Sequence, residues 1–405
     1  MTGSGLSRCL DSRLPDKKQA ESKRNTTSVP DRPDLSIFRK WQDMDCYPFS
    51  NAATIYDPDA PHDIIELNTT ADLEKKPIKS VLPNDTRMDR ITSSASTVKE
   101  LLETLDRYPL ITNVKYNVNL LALHRIKPSL EKLDRMVGLS NLKSAILDQI
   151  LYYTQSLHEI DTENTDFLHT VICGPPGTGK TEVGMVIGEI FTQLGMLKKG
   201  RFRKVTRPDL IAGYLGQTGL KTKDVIESSL GGVLFIDEAY SLGGDKKDSF
   251  SKECVDILCE SMSAYKDDLM VIVAGYENEL QNEFFSMNPG LQSRFSWRFR
   301  TEKYNTDELM EIFTRKVLRS GWKIEESTDL TSWFSSKGKD FPNFGRDVEI
   351  LFTKSKISHG RRLFGDPTAL RGQLSIGDIE KGFEAMVANR QVLDSHNDFK
   401  DSMYT

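Results

Sequence analysis

The octapeptide GPPGTGKT, residues 174–181, constrains this chain more than any other feature. It fits the pattern G-x-x-x-x-G-K-[ST] in full, follows the apolar run FLHTVICG and precedes a helical pattern that begins at Thr181. Glycines let such a loop curl so that its backbone N–H groups point at phosphate oxygens, and the positive end of the following helix adds to the attraction. The strand–loop–helix context therefore predicts a phosphate-binding site.

The side chains that end this loop have distinct predicted roles. We expect Lys180 to reach the β- and γ-phosphates of bound ATP and the Thr181 hydroxyl to ligate Mg²⁺. The other nucleotide-binding candidates all precede Lys180 and are Gly174, Pro175, Pro176, Gly177, Thr178 and Gly179. ATP and Mg²⁺ are thus the expected ligand and cofactor.

A second apolar run, GGVLFIDEAY, residues 231–240, ends in two carboxylates. Ligands of open α/β sheets bind at the carboxyl ends of strands, so Asp237 and Glu238 are expected to face the nucleotide. Asp237 suits the acid that supports Mg²⁺ together with Thr181. Glu238 suits the base that orients and polarises the attacking water.

Strand patterns alternate with helical patterns from about residue 131, which predicts an α/β fold with a parallel sheet between helices. Apolar strand runs cease near residue 303, and helical patterns at 306–319, 345–364 and 376–390 predict a small all-α lid domain. The predicted division is a disordered arm at 1–35, an N-terminal extension of unknown fold at 36–130, the α/β nucleotide-binding domain at 131–302, the lid at 303–392 and a tail at 393–405.

The charge pattern limits the classes of partner. A net charge of −5 over 405 residues is atypical of a nucleic-acid-binding chain. A local basic run is either a solvated connector or a contact for nucleic acid or an anionic regulator, and consists of Lys198, Lys199, Arg201, Arg203 and Lys204. No apolar run approaches the ~18 residues of a membrane span, and the five cysteines lack zinc-site spacing. We expect a soluble protein of the cytoplasm or another intracellular compartment, with no membrane partner.

Five segments in fixed order carry a family resemblance. GPPGTGKT, LFIDEAY, AGYENEL, NPGLQSRF and NFGRDVEILF together resemble an AAA+ ATPase, within the subgroup of stage V sporulation protein K and the red-type, CbbX-like Rubisco activases. The resemblance spans roughly residues 131–390 and excludes the divergent first 130 residues. Related proteins with N-terminal extensions also occur in large DNA viruses, so the resemblance is compatible with a viral source.

The resemblance implies a homo-oligomeric ring, usually of six subunits, with ATP at the subunit interfaces. Arg294, in QSRF, would be the arginine finger that reaches the neighbour's γ-phosphate, although Arg298 and Arg300 in SWRFR stay as alternatives. Arg346 would be the lid residue that contacts the γ-phosphate of its own subunit. The family usually has alanine before this arginine, whereas this chain has Gly345.

One position departs from many AAA+ proteins. These carry a polar Asn or Thr at the end of the fourth strand, where VIVAGYENEL places Tyr276. The activase-like subgroup also shows tyrosine at this place. Whether Tyr276, Glu277 or Asn278 takes the polar role, or Tyr276 only packs, stays open from the sequence.

An apolar loop, IAGYLGQTG at residues 211–219, lies where AAA+ rings face their central pore. Tyr214, Leu215 and Gly216 match the aromatic–hydrophobic–glycine pattern that grips an extended polypeptide by apolar contact. The alternative is that Tyr214 and Leu215 pack back onto their own subunit. The sequence thus favours an ATP-hydrolysing ring motor that remodels or threads a protein client. A nucleic-acid-directed loader or helicase-like ATPase is the alternative.

Overall fold

The computed structural model describes residues 64–67, 87–111, 114–159, 167–214, 216–243, 248–365 and 370–403. The predicted arm at 1–35 lies outside these residues, as does Leu215 of the predicted pore loop.

A six-stranded sheet forms the core of the described α/β domain, with the spatial order β1-β5-β6-β7-β4-β8. The described strands are β1 (Ile64–Glu66), β2 (Arg87–Asp89), β3 (Val114–Tyr116), β4 (Thr170–Cys173), β5 (Arg201–Val205), β6 (Gly232–Ile236), β7 (Leu269–Gly275), β8 (Trp297–Arg300), β9 (Lys323–Ile324) and β10 (Gln373–Leu374). Every residue of β4, β6 and β7 is buried, as expected for central parallel strands covered on both faces. The predicted parallel α/β sheet is therefore confirmed.

Helices cover both faces of this sheet and form a separate lid. The described helices of at least 8 residues are α1 (Val98–Arg107), α2 (Leu120–Arg135), α3 (Ser140–Thr154), α4 (Lys180–Gln193), α5 (Thr218–Ser229), α6 (Ser249–Ala264), α7 (Thr306–Arg319), α8 (Leu330–Lys337), α9 (Gly345–Gly365) and α10 (Ile376–Met403). Helices α7 to α10 enclose their own core, in which Phe313, Phe334 and Phe352 are buried. The helical lid is thus confirmed, although it also contains a small parallel pair of strands, β9 and β10, so it is not purely α. Helix α10 continues through most of the predicted tail.

Part of the N-terminal extension belongs to the α/β domain. Strand β1 pairs antiparallel with β5, and the Leu67 N–H donates to the Gly200 carbonyl at 2.6 Å. Helix α2 spans the predicted boundary at residue 130 and is bonded to α4, where the Ser129 hydroxyl donates to Gln193 Oε1 at 3.0 Å. Lys132 also forms a 2.7 Å ion pair with Glu189 of α4. The described part of the extension therefore covers one edge and one face of the domain.

The sequence pattern does not reveal strand β8, because this strand lies at the edge of the sheet and alternates between polar and apolar residues. Phe299 is buried, whereas Arg298 and Arg300 on either side are exposed. The strand runs parallel to β4, so that Arg300 lies opposite Cys173, the last residue before the glycine-rich loop. It then leads the chain directly past this loop into the lid.

Among the described helices, none is both long enough and apolar enough to span a bilayer.

Candidate nucleotide-binding site

The glycine-rich loop joins buried β4 to α4 and depends on its glycines. Gly174, Gly177 and Gly179 have φ angles of 152°, 70° and 82°, which L-residues with side chains rarely adopt. A Cβ on Gly174 would lie 2.0 Å from Thr301 Oγ1, and one on Gly177 would lie 2.0 Å from the Asn343 carbonyl oxygen. Both conformation and close packing therefore require glycine at these places.

Lys180 begins α4 and folds its side chain back over the loop. Its ammonium donates to the carbonyl oxygens of Gly174 at 2.9 Å and Pro175 at 2.8 Å. Burial lowers the pKa of Lys180; the negative charge of Asp237 opposes this lowering, and the positive charge of Arg346 adds to it. Lys180, Asp237 and Arg346, which are distant in sequence, thus share one site.

The two acidic residues follow β6 at the carboxyl edge of the sheet. Asp237 forms a 2.7 Å ion pair with Lys204, and its Oδ1 accepts a hydrogen bond from the Glu238 N–H at 3.1 Å. Glu238 is exposed and has a φ of 51°, an uncommon conformation for a residue other than glycine. Such strain is often found at functional sites. Glu238 lies close enough to the loop for its charge to oppose the lowering of the Lys180 pKa.

The oxygen donors at this edge fit Mg²⁺. Proteins commonly bind this ion through one or two side-chain oxygens together with substrate phosphates, without a cage of many protein ligands. The Thr181 hydroxyl and the Asp237 carboxylate are hard donors of this kind. In the described residues no group of three or more His, Cys, Asp or Glu side chains is arranged to hold a metal.

Two tyrosines, Tyr240 and Tyr276, flank the site. The sequence left open which residue of the segment after β7 faces it. The Tyr276 ring lies 5.3 Å from the Lys180 ammonium and stacks on Tyr240, whereas Glu277 turns away to pair with Arg300. Burial, and then the charge of Glu238, raise the pKa of Tyr240 to about 12, so its phenol stays protonated. Tyr276 is therefore the side chain of this segment that faces Lys180.

The lid contacts the loop directly. The Gly345 N–H at the start of α9 donates to the Gly177 carbonyl at 3.0 Å, and the Tyr304 hydroxyl donates to the Thr178 carbonyl at 3.2 Å. The hydroxyls of Thr178 and Thr301 are 2.7 Å apart and buried. Sequence reasoning missed Thr301 and Tyr304, since no motif marks them. These contacts place Arg346 near Gly177 and Lys180 of the same chain.

The Gly345 contact explains the departure from alanine at this position. A Cβ there would lie 2.7 Å from the Gly177 carbonyl oxygen, a backbone atom that cannot move alone. We expect Gly345→Ala to lower the free energy of unfolding by about 1–3 kcal/mol, because the lid must shift to relieve the overlap. Urea unfolding measures this change.

Gly360→Ala is the matched control for this prediction. Gly360 lies on the same helix, and nothing lies within 4 Å of an added Cβ. Because alanine favours a helix more than glycine does, this change should be neutral or stabilising by up to about 1 kcal/mol. A Gly345→Ala protein as stable as the Gly360→Ala protein would refute the close-contact explanation.

The three finger candidates lie in different surroundings. Arg294 donates to Ser263 Oγ and to the Gly290 carbonyl, each at 2.7 Å. Arg294 lies near His169, which directly precedes β4. Burial lowers the pKa of His169 to about 4, and the positive charge of Arg294 contributes to this lowering. Arg298 is exposed over the Phe285 ring, and Arg300 lies at the carboxyl end of β8.

The predicted pore loop extends from the domain. Tyr214 is 74% exposed, which contradicts the alternative that its side chain packs back onto this chain. An added Cβ on Gly213 or Gly216 would meet nothing within 4 Å, and Gly216 has a φ of 76°. The loop lies beyond the carboxyl end of β5, between the short helix Arg207–Leu210 and α5.

The basic run is largely neutralised within the chain. Three of its members form ion pairs: Lys198 with Asp268 at 3.2 Å, Arg201 with Glu66 at 3.3 Å, and Lys204 with Asp237 at 2.7 Å. Arg203 donates to the Ser228 hydroxyl. These partners favour a structural role for the run over a nucleic-acid surface.

Comparisons with known proteins agree with this geometry. The family model described as "ATPase family associated with various cellular activities (AAA)" matches residues 170–302, which run from β4 to just past β8. A cfxQ-like protein of Acanthamoeba polyphaga mimivirus is 36% identical over 287 residues, covering 70% of each chain. The chain belongs to the AAA family of ATPases.

The subgroup follows from further relatives of this AAA chain. Stage V sporulation protein K of Bacillus subtilis is 36% identical over 62% of this chain and 81% of its own length. Protein CbbX of Cereibacter sphaeroides is 34% identical over 61% and 82%. The predicted resemblance to the stage V sporulation protein K and CbbX-like subgroup is confirmed.

The similarity of this chain to solved structures is weaker than its similarity to these relatives. The FIGL-1 AAA domain in complex with ADP has a TM-score of 0.46 and 17% identity, covering 66% of this chain and 89% of that one. A Thermotoga maritima RuvB mutant has a TM-score of 0.44 and 19% identity, covering 62% and 72%.

Proposed function

We propose that this AAA protein is a Mg²⁺-dependent ATP hydrolase that assembles into a ring of about six copies and remodels or threads a protein client through the central pore. The exposed Tyr214 is the observation that carries the protein-client part of the proposal. An aromatic side chain between flexible glycines grips a polypeptide by apolar contact without reading its sequence.

The chemistry is assigned to residues grouped around the loop. Lys180 exchanges its carbonyl partners for the β- and γ-phosphates, and Arg346 reaches the γ-phosphate from the lid. Glu238 accepts a proton from the attacking water as the water oxygen bonds to the γ-phosphorus. The bond from that phosphorus to the bridging oxygen breaks, and ADP leaves with this oxygen. Thr181 and Asp237 would hold Mg²⁺ together with the phosphates, and the ion would supply positive charge where negative charge develops on the oxygens.

The proposed ring would supply a finger that, within the described residues, neither Arg294 nor Arg300 provides at the loop of its own copy. Arg294 is held near the amino end of β4, whereas Lys180 follows the carboxyl end of the same strand. Arg300 is closer to the loop but is paired with Glu277 of its own chain. We therefore assign the finger to Arg294, acting on the nucleotide of a neighbouring copy.

Two further observations support the proposal. A relative from Cyanidioschyzon merolae, 32% identical over 60% of this chain, is named a ribulose bisphosphate carboxylase/oxygenase activase, so its named target is itself a protein. The three described cysteines, Cys173, Cys254 and Cys259, are buried free thiols. Because reduced thiols are typical of intracellular proteins, we assign the protein to the cytoplasm or another intracellular compartment.

Replacing the predicted gripping residue tests the client proposal. Tyr214→Ala should leave ATP turnover without client within about twofold and change the free energy of unfolding by less than about 0.5 kcal/mol, because the side chain is exposed. It should abolish the stimulation of turnover by unfolded casein, measured by phosphate release.

The control for Tyr214 is another exposed aromatic residue. Phe364 of the lid is 97% exposed, and Phe364→Ala should keep the stimulation by casein. Stimulation that survives in Tyr214→Ala would refute the gripping role. Stimulation by single-stranded DNA in place of casein would support the nucleic-acid-directed alternative.

A further inference from the structure

The Lys180 ammonium contacts an aromatic surface as well as the loop carbonyls. Its nitrogen lies 5.3 Å from the centroid of the Tyr276 ring, within the range of about 6 Å in which a cation is attracted to an aromatic face. Tyr276 directly follows β7, whose last residue, Gly275, is paired with Cys173 at the start of the loop. The strand register therefore places this ring beside the ammonium.

A second aromatic ring, from the segment that follows β6, supports the Tyr276 ring. Tyr240 and Tyr276 stack with centroids 5.6 Å apart and planes 21° apart. Tyr240 belongs to the turn that begins just after Glu238, so the two rings come from two neighbouring strand ends. A Cβ on Gly275 would lie 2.9 Å from Tyr240 Cδ1, so glycine is needed for this stack to form.

The neighbouring polar side chains are directed elsewhere. Glu277 pairs with Arg300, and Asn278 lines a separate cleft of about 520 Å³ together with Gln281 and Arg298. The residue that directly follows β7 thus presents an aromatic face to Lys180.

We propose that the stacked rings of Tyr240 and Tyr276 position the Lys180 ammonium for the phosphates of ATP. The ring face attracts the cation without accepting a conventional hydrogen bond, so all three N–H donors stay available to oxygen. The ammonium can then exchange the Gly174 and Pro175 carbonyls for phosphate oxygens while it stays over Tyr276. Tyr276 is a positioning residue that acts through Lys180, and this role rests on the proposed ATP site.

Replacing the ring should weaken ATP binding more than it slows the chemical step. We expect Tyr276→Leu to raise the KM for ATP about 5- to 30-fold, the factor that corresponds to a partly buried cation–aromatic contact. The kcat should change by less than about threefold, because Glu238 is retained. Tyr276→Phe, which returns the ring without the hydroxyl, should recover most of the KM.

Tyr265→Leu is the matched control. Tyr265 is also half-buried but precedes β7, at the opposite end of the strand from Tyr276. Its replacement should leave the KM within about twofold of the unchanged protein. Steady-state ATP turnover gives both constants, and thermal unfolding verifies that each variant is folded.

Three results would overturn the proposal. An unchanged KM in folded Tyr276→Leu would show that the ring does not position Lys180. A fall in kcat with Tyr276→Phe would show that the hydroxyl, and not the ring, is the group that acts. If Tyr276→Leu does not fold, Tyr240→Leu must raise the KM in the same direction, and an unchanged KM there would refute the stack.

Lys180→Ala separates this proposal from the proposed function. If Lys180→Ala keeps normal ATP binding, measured with a fluorescent ATP analogue, the proposed ATP site itself is wrong. If Lys180→Ala loses ATP whereas Tyr276→Leu and Tyr240→Leu bind it normally, only the positioning proposal fails.

Discussion

Glu238→Gln should lower ATP turnover by about 10²- to 10⁴-fold, because the amide cannot accept the proton of the attacking water. ATP should stay bound, since Lys180 and the loop that hold the phosphates are unchanged. Glutamine has nearly the same shape and adopts the positive φ of 51° at this position at similar cost. Phosphate release measures turnover, and a fluorescent ATP analogue measures binding.

The control for Glu238 is Glu279→Gln. Glu279 is another exposed carboxylate in the segment that follows β7, and its charge adds to that of Glu238 in raising the pKa of Tyr240. Its replacement should change turnover by less than about threefold. Turnover of Glu238→Gln at the level of this control would show that another group activates the water.

Arg294→Ala should lower turnover by about 10³- to 10⁵-fold, the range that arginine fingers contribute to the transition state. Arg294→Lys should recover little of this loss, because an ammonium cannot reproduce the planar fork of a guanidinium. Arg298→Ala and Arg300→Ala, measured in parallel, test the two alternatives on β8. If Arg298→Ala abolished turnover and Arg294→Ala did not, the finger would have to be reassigned.

Mixing two inactive variants tests whether the finger acts between copies. Arg294→Ala subunits keep Glu238, and Glu238→Gln subunits keep Arg294. A mixed ring therefore contains some interfaces with both groups, roughly a quarter of them under random assembly. Phosphate release should reappear on mixing. Its absence, in rings shown by fluorescence energy transfer between labelled copies to have exchanged subunits, would contradict a finger supplied by the neighbour.

The nucleotide loop and the acidic strand end were predictable because their signals are local. GPPGTGKT combines glycines, a lysine and a hydroxyl at fixed spacing, and the loop has the positive φ angles that these glycines permit. VLFID is apolar throughout because the strand is buried on both faces. Helix α7 matches its predicted span, 306–319, because its apolar residues recur at helical spacing and Asn305 begins a capping box.

The missed elements depend on partners far along the chain. Strand β1 is only 3 residues long and acquires its structure by pairing with β5. Thr301 and Tyr304 have no motif of their own and gain a role only because β8 passes the loop. A three-residue strand or a single hydroxyl leaves no periodic pattern that a sequence can display.

For Tyr240 and Tyr276, too, the sequence shows the residues but not the contact between them. Each is visible in the sequence, Tyr240 in IDEAY and Tyr276 in AGYENEL. Their spacing does not indicate that the rings stack, nor that the stack faces Lys180. That outcome follows from the strand order, which sets β6 beside β7 and β7 beside β4.

The parallel α/β sheet, the phosphate-binding loop and the residue types suited to ATP and Mg²⁺ could be predicted from the sequence, because they depend on local spacing and periodicity. The AAA family was implied by the resemblance of five motifs in fixed order. Only the tertiary structure decided that Tyr276 faces Lys180, that Gly345 lies against Gly177, and that Arg294 is held away from its own loop. The reason is that these relations join strand ends and a lid that are distant in sequence, and packing alone brings them together.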